Sequence, residues 1–511
     1  MCYMMAAGRD ATADGSVMVA RNCDANSTEA QRILAVPRKL HPAGAMIRIP
    51  DSITTIPQVP VTYAYTAIAR VIGGADIEMV GGGINEFQVS AGASTGGQVS
   101  RRVSKLTPFP DTVIGDYMMT LVLQRCKTAR QGIQLLGELT ERYGARKDNY
   151  IVADPQEAWL FEQYQGYHWA AARVPDDCFV VEANSVRLGY IDPEDPDNYR
   201  CDPDLIPFAI EHGLWNPQSN DAFHAARAYG DPAVTRPRGT HPQPYYNLHR
   251  IWRGNMLLKP SAGLDLHEPS KEYPLFLVPD RKLTPADFID VLKDHYQGTE
   301  LDEYGAQDAA FPTTIDAPSG RYRLAPAWCE SRIIGCPQTV TSWVTQSRRW
   351  LPHAMGGLLW GGLGAAAASP HVPWYGCITR TPKAYQIGNP GDNSHYMPDS
   401  AYWLFETVGN IMNLFYQGTI DLVKPAWAEF DHRSFALQPA IEHFALELYE
   451  DAPQSAIEFL TAYSNSVAKE ALTTGRDMLT HLFTRIALLN NPQTSRGYQD
   501  PGQWERSSKV Y

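Results

Sequence analysis

The chain is 511 residues long, 44% hydrophobic and 20% charged, with 44 Lys and Arg against 56 Asp and Glu and a net charge of −12. That balance suits a folded globular protein with a sizeable core and excludes a disordered or fibrous chain. The acid excess is spread out and no basic run occurs, which argues against a nucleic-acid partner.

The amino-terminal segment carries the densest chemistry. Cleavage after Met1 would leave Cys2 with both a thiol and a free α-amine, a nucleophile and a base on one residue. Such an amine has a pKa of about 8, so part of it is unprotonated at neutral pH. A short apolar run (3–7), a turn at Ala13-Asp14-Gly15 and a second run (17–20) predict a β-hairpin. The hairpin brings Arg21 and Asp24 back beside Cys2, where Arg21 would favour the thiolate and Asp24 would hold the amine and the arginine.

Strand character continues at 61–71, 77–80 and 87–91, with Gly81-Gly82-Gly83 between. No helix start or lysine follows these glycines, so they read as a tight turn and not as a phosphate cradle. Apolar residues at helical spacing predict one long helix over 117–143, ending before Gly144. Strands follow at 150–153, 158–161, 167–172 and 178–182. Residues 192–316, rich in Pro, Asp, Asn and Tyr, read as an inserted segment with helices at 204–210, 221–229 and 285–295. Strands return at 332–334, 340–344, 357–360 and 375–378. From 400 the pattern is helical, at 401–416, 438–449, 455–472 and 477–489. The organisation expected is a core in two parts, 2–191 and 317–400, interrupted by 192–316 and followed by a helical region, 401–511. This order of strands, helices, strands and helices suits an α+β protein with two sheets layered between helices, and not a doubly wound sheet.

Eight cysteines (2, 23, 126, 178, 201, 329, 336 and 377) form no C-x-x-C pair. They read as reduced thiols and not as a disulfide framework or a zinc site. The most apolar run, 355–368, is interrupted by glycines and falls short of the roughly 20 residues a spanning helix needs. The chain opens with no basic segment followed by an apolar one. A cytoplasmic location with no membrane partner is expected.

Several blocks together resemble the dipeptidases of peptidase family C69. These are Cys2 with Ala11-Thr12-Ala13-Asp14-Gly15-Ser16 and Ala20-Arg21-Asn22-Cys23-Asp24, then Gly83-Ile84-Asn85-Glu86-Phe87 and Ala183-Asn184-Ser185-Val186-Arg187. Thr341-Ser342-Trp343, Gln346-Ser347-Arg348-Arg349-Trp350 and Val372-Pro373-Trp374-Tyr375 continue the order. Members of that family are N-terminal nucleophile hydrolases, related to secernins and, more distantly, to penicillin V acylase and bile salt hydrolase. The resemblance implies a four-layer αββα sandwich of two antiparallel sheets between helices. It implies Cys2 as nucleophile, assisted by Arg21 and Asp24, and Asn184 as an oxyanion donor. A second donor is implied near Ser94 or Thr95, with Asn85 in the turn that shapes the site. Arg332 matches either the family's late active-site arginine or a structural ion pair. Dipeptides are the implied substrates, with no metal or organic cofactor, and assembly into a homo-oligomer stays open. Two alternatives also remain: an amidase of the same mechanism acting on N-acyl amino acids or acylated amines, and a secernin-like protein that binds or regulates without hydrolysis.

Overall fold

The computed structural model describes residues 2–25, 28–50, 52–71, 78–94, 98–219, 221–231, 235–238, 241–244, 247–267, 273–302, 315–316, 321–322, 332–388, 395–414 and 416–489. Fifteen strands of the described residues build two sheets. In chain order they are β1 (Cys2–Ala7), β2 (Val17–Asp24), β3 (Gln31–Val36), β4 (Tyr65–Val71), β5 (Glu78–Asn85), β6 (Ser90–Ser94), β7 (Asn149–Ala153), β8 (Ala158–Gln163), β9 (Trp169–Val174), β10 (Phe179–Glu182), β11 (Tyr199–Cys201), β12 (Phe276–Leu277), β13 (Thr339–Ser347), β14 (Gly357–Leu363) and β15 (Val372–Tyr375). The first sheet runs β12-β10-β1-β2-β13-β14-β15 and the second β11-β9-β8-β7-β6-β5-β4-β3, with every pairing antiparallel.

The sheets pack face to face, β1 and β2 lying against β6 and β7. Helices α1 (Tyr117–Arg125) and α2 (Ala129–Tyr143) cover the second sheet. The first is covered by α3 (Leu248–Leu258), α4 (Pro285–Leu292), α5 (Ala401–Leu414), α6 (Tyr416–Asp451) and α7 (Pro453–Leu489). The layering is αββα, as expected. Strands sandwiched on both faces have no side left to solvate, which is why Cys2–Ala7 is buried at every position and reads as a continuous apolar run.

The predicted hairpin forms, with Met4 opposite Arg21 and Cys2 opposite Cys23. Several expectations need correction. The helix expected over 117–143 is two helices, because Cys126 turns extended and Thr128 restarts the chain by capping the Gln131 N–H at 3.2 Å. Gly81-Gly82-Gly83 is no turn but the middle of β5. Gly82 has φ +154°, and a Cβ there would lie 2.1 Å from the Trp343 ring, so the glycines let β13 press its indole onto the opposite sheet. Residues 332–334 form a loop instead of a strand, and the Ile334 carbonyl accepts from the Asn22 side chain at 3.1 Å. The helix expected over 221–229 shrinks to Ala225–Tyr229. The carboxyl-terminal stretches merge into α6 and α7, since a helix packed on a sheet and on its neighbour tolerates the weaker positions between amphipathic segments. Among the described residues no helix is long and apolar enough to cross a membrane.

Candidate active site

Everything at the site is placed relative to the β1–β2 hairpin. Residues directly opposite on antiparallel strands share a face, as do alternate residues along one strand. Cys2, Cys23 and Arg21 therefore point the same way. The Arg21 Nη2 donates to Cys2 Sγ at 3.1 Å, and Nη1 donates to the Gly81 carbonyl, tying the guanidinium to the second sheet. Cys2 is 2% exposed.

The Cys2 thiol is held well below its ordinary pKa. Its first cause is the hydrogen bond from the Cys23 thiol; burial opposes, and the Arg21 charge and the Asp24 backbone N–H add to the lowering. Cys23 moves the opposite way, raised by its bond to Cys2 and by burial. The two thiols are thus driven apart, Cys2 toward the thiolate and Cys23 toward the thiol.

Asp24 sits at a β-bulge, where the pairing of β2 with β13 slips between Cys23 and Asp24. A bulge re-aims the following side chain. The Asp24 carboxylate reaches Arg332 in a buried ion pair and accepts from Thr339 Oγ1 at 2.7 Å. Arg332 is held by its loop, whose Tyr296 contact runs from the phenol to the Arg332 carbonyl at 2.6 Å.

Asn184 follows β10, which flanks β1 on the side away from β2 in the same sheet. The strand β10 pairs with β1, Glu182 opposite Met4, so the chain beyond β10 passes Cys2. Asn184 has φ 54°, a left-handed conformation that asparagine tolerates better than most residues and that turns its side chain inward. Its Oδ1 accepts from the Cys2 backbone nitrogen at 3.2 Å and from Arg250 Nη2 at 3.0 Å. Its Nδ2 donates to Ser94 Oγ at 2.9 Å. Thr95 lies outside the described residues. Asn85 is not at the site: its Nδ2 donates to the Leu123 and Cys126 carbonyls, at 2.9 and 2.8 Å, and closes the end of α1. Its Oδ1 accepts from the Phe87 and Val89 N–H groups, so the whole amide is occupied in shaping a turn.

Two residues at this centre had no part in the sequence reading. Arg250, fully buried on α3, donates to the Cys2 carbonyl at 2.9 Å as well as to Asn184. Asn247 accepts from Arg250 at 2.7 Å and donates to the Asn184 carbonyl at 2.9 Å. Their three-residue spacing puts them on one helical face, which is a signal only once something is known to face it.

A cavity of about 100 Å³ opens beside the thiol, lined by Cys2, Arg21, Cys23 and Asp24 on one side. Arg70, paired with Glu29 and Asp116 at 3.0 and 3.1 Å, lines it too, as do both carboxylates and Met79, Val80 and Met119. A second alignment elsewhere looks like a catalytic triad: Ser342 Oγ lies 3.1 Å from His371 Nε2, and His371 Nδ1 lies 3.4 Å from Asp431. All three are buried, none lines the cavity beside Cys2, and Lys293 occupies the Asp431 carboxylate at 2.7 Å. This alignment ties β13, the start of β15 and α6 together.

The sequence model of peptidase family C69 matches residues 1–429. The chain belongs to peptidase family C69. Among curated relatives, the member is 29% identical to a probable dipeptidase of Latilactobacillus sakei, over 94% of this chain and 95% of the relative. It is 28% identical to a probable dipeptidase B of Lactococcus lactis subsp. lactis, over 94% of each, and 28% identical to a dipeptidase of Bifidobacterium longum, over 89% and 86%. Among solved structures, a variant of conjugated bile acid hydrolase from Clostridium perfringens aligns with TM-score 0.34 and 9% identity, over 71% of this chain and 89% of that one. Penicillin V acylase from Agrobacterium tumefaciens aligns with TM-score 0.23 and 14% identity, over 34% and 49%. As a family C69 member the protein is a hydrolase of the peptidase class.

Proposed function

We propose that this family C69 member is a cysteine-type dipeptidase whose nucleophile is Cys2, made amino-terminal by cleavage of the bond before it. The observation that carries the reading is the placement of Cys2 at the edge of a cavity, its Sγ 3.1 Å from the Arg21 guanidinium and its backbone nitrogen 3.2 Å from Asn184 Oδ1, which with Cys23 favours the thiolate. In this reading Cys2 Sγ attacks the carbonyl carbon of the dipeptide. Charge develops on the carbonyl oxygen and is received by the Asn184 Nδ2 and by a backbone N–H near Ser94 or Thr95. The acceptor contacts that the Asn184 Oδ1 makes with Arg250 and the Cys2 nitrogen fix which end of the amide faces the substrate. The Cys2 α-amine then protonates the leaving amine, and the first amino acid departs. Water, deprotonated by the same amine, attacks the thioester and releases the second. Asp24 and Arg332 act as one buried pair that holds the strand end carrying Cys23.

The relatives named dipeptidases support dipeptides as the substrate. The charged groups Glu29, Arg70 and Asp116 in the cavity lining support the same choice, because a dipeptide carries charges of both signs to meet them.

The test compares wild type with Cys2→Ala on a panel of dipeptides and N-acyl amino acids, reading products and intact protein mass by mass spectrometry. Dipeptide turnover by wild type alone, on protein whose mass begins at Cys2, is the expected result. Turnover that survives Cys2→Ala, or cleavage confined to the N-acyl compounds, would overturn the reading.

A further inference from the structure

The proposed mechanism leaves one half-buried nucleophilic group at the site without a chemical step, the Cys23 thiol. Cys2 and Cys23 are register partners on adjacent antiparallel strands, and both line the same cavity. Partners directly opposite have Cα separations of about 4.5 or 5.5 Å and Cβ separations of about 4.5–5.5 Å. A disulfide needs Cα atoms about 4.4–6.8 Å apart and Cβ atoms about 3.5–4.5 Å apart, so the pair meets the first requirement and needs at most a small approach for the second. The bulge between Cys23 and Asp24 gives β2 the local freedom to supply it. Both thiols are free in this structure.

We infer that Cys2 and Cys23 form a reversible oxidation site, in which Cys23 resolves a Cys2 sulfenic acid into a Cys2–Cys23 disulfide when the protein meets a hydroperoxide. The Cys2 thiolate attacks the distal peroxide oxygen; the O–O bond breaks, and the remaining oxygen leaves as water or an alcohol after taking a proton. Cys2 then carries S–OH. The Cys23 sulfur attacks the Cys2 sulfur, the S–O bond breaks, and the hydroxide leaves as water with the Cys23 proton. The two thiols supply the two electrons that reduce the peroxide, and a dithiol returns them. An activated cysteine without a resolving neighbour continues to sulfinic and sulfonic acids, which simple thiols do not reverse. The disulfide stops that progression and switches the nucleophile off until it is reduced. The inference rests on the geometry of the thiol pair and not on the substrate proposed above.

The experiment exposes full-length wild type and Cys23→Ser to stepwise equivalents of hydrogen peroxide, then alkylates the remaining thiols and records intact masses and peptide maps before and after dithiothreitol. Wild type is expected to lose the mass of two hydrogen atoms, to yield a peptide linking Cys2 to Cys23, and to recover both its mass and its turnover on reduction. Cys23→Ser, in which the hydroxyl keeps a donor beside the thiolate, is expected to gain oxygen atoms at Cys2 that dithiothreitol does not remove. Oxygen addition at Cys2 of wild type with no linked peptide would overturn the inference, as would a link that joins other thiols. The wild-type map decides by itself if the serine variant does not fold. Because the masses are read without any substrate, they stand even if no dipeptide is turned over.

Discussion

Arg21→Met removes the guanidinium in hydrogen-bond contact with Cys2 Sγ while keeping much of the side chain's length. At the observed 3.1 Å, a unit charge pair in an effective dielectric of about 20 attracts by about 5 kcal/mol. Burial of both groups opposes that attraction, and a hydrogen bond to a charged partner leaves about 1.5–3 kcal/mol net. At 1.36 kcal/mol per unit, the Cys2 thiol should titrate roughly 1–2 pH units higher in the variant. The shift is partial because the Cys23 thiol and the Asp24 N–H still support the thiolate. The assay is the rate at which iodoacetamide modifies the Cys2-containing peptide, followed across pH by mass spectrometry. Below the inflection, the variant should react roughly 10–100-fold more slowly than wild type. Dipeptide hydrolysis should fall in parallel, and Arg21→Lys should restore part of the shift. An unchanged alkylation profile in Arg21→Met would refute the argument that Arg21 sets the state of this thiol.

Arg250→Met takes away the donor that orients the Asn184 amide. As a positioning change it should lower kcat by about 10²-fold with little change in KM, approaching the loss typical of one oxyanion donor, and Arg250→Lys should recover part of it; an unaltered kcat would remove Arg250 from the machinery. Lys293→Met takes the cation from the buried Asp431 carboxylate, whose pKa burial raises but Lys293, with His371, brings down to about 2. Breaking such a pair costs about 3–5 kcal/mol, readable as a lowered denaturant midpoint, whereas KM of the folded fraction should not move. Burial pushes the Glu162 carboxyl from 4.5 up to about 8, even though it accepts from the Arg187 and Leu188 N–H groups. A raised acid pKa means the native state holds the proton more tightly than the unfolded chain. Stability is then fully present below about 4.5 and falls as pH rises toward 8. Glu162→Gln, which keeps an acceptor without the charge, should flatten that fall in urea titrations run across this range; an identical slope in the variant would show that Glu162 is not its source.

The hairpin at the start of the chain was legible because its information is local. Two short apolar runs and the Asp14-Gly15 turn between them predict the pairing of β1 with β2, and the register of that pairing puts Cys2, Arg21 and Cys23 on one face. Two sheets layered between helices followed from the order of strand and helix periods, and their antiparallel pairing from the family resemblance. Asn184 was legible only through the block around it, since nothing in its immediate sequence tells of a left-handed turn beside Cys2. The limits were equally physical. Arg250 and Asn247 sit on a helix whose own pattern is an ordinary amphipathic one, and only the docking of α3 against the β1–β10 edge aims them at Cys2 and Asn184. Asn85 looked like part of the site, yet its amide is occupied by the end of a helix some forty positions later in the chain. Gly82 lies inside a strand because an indole from the other sheet needs its missing side chain. Short-range periodicity settled which residues share a strand face. Tertiary packing decided which buried polar groups meet across distant elements, because those pairings depend on contacts that no local pattern encodes.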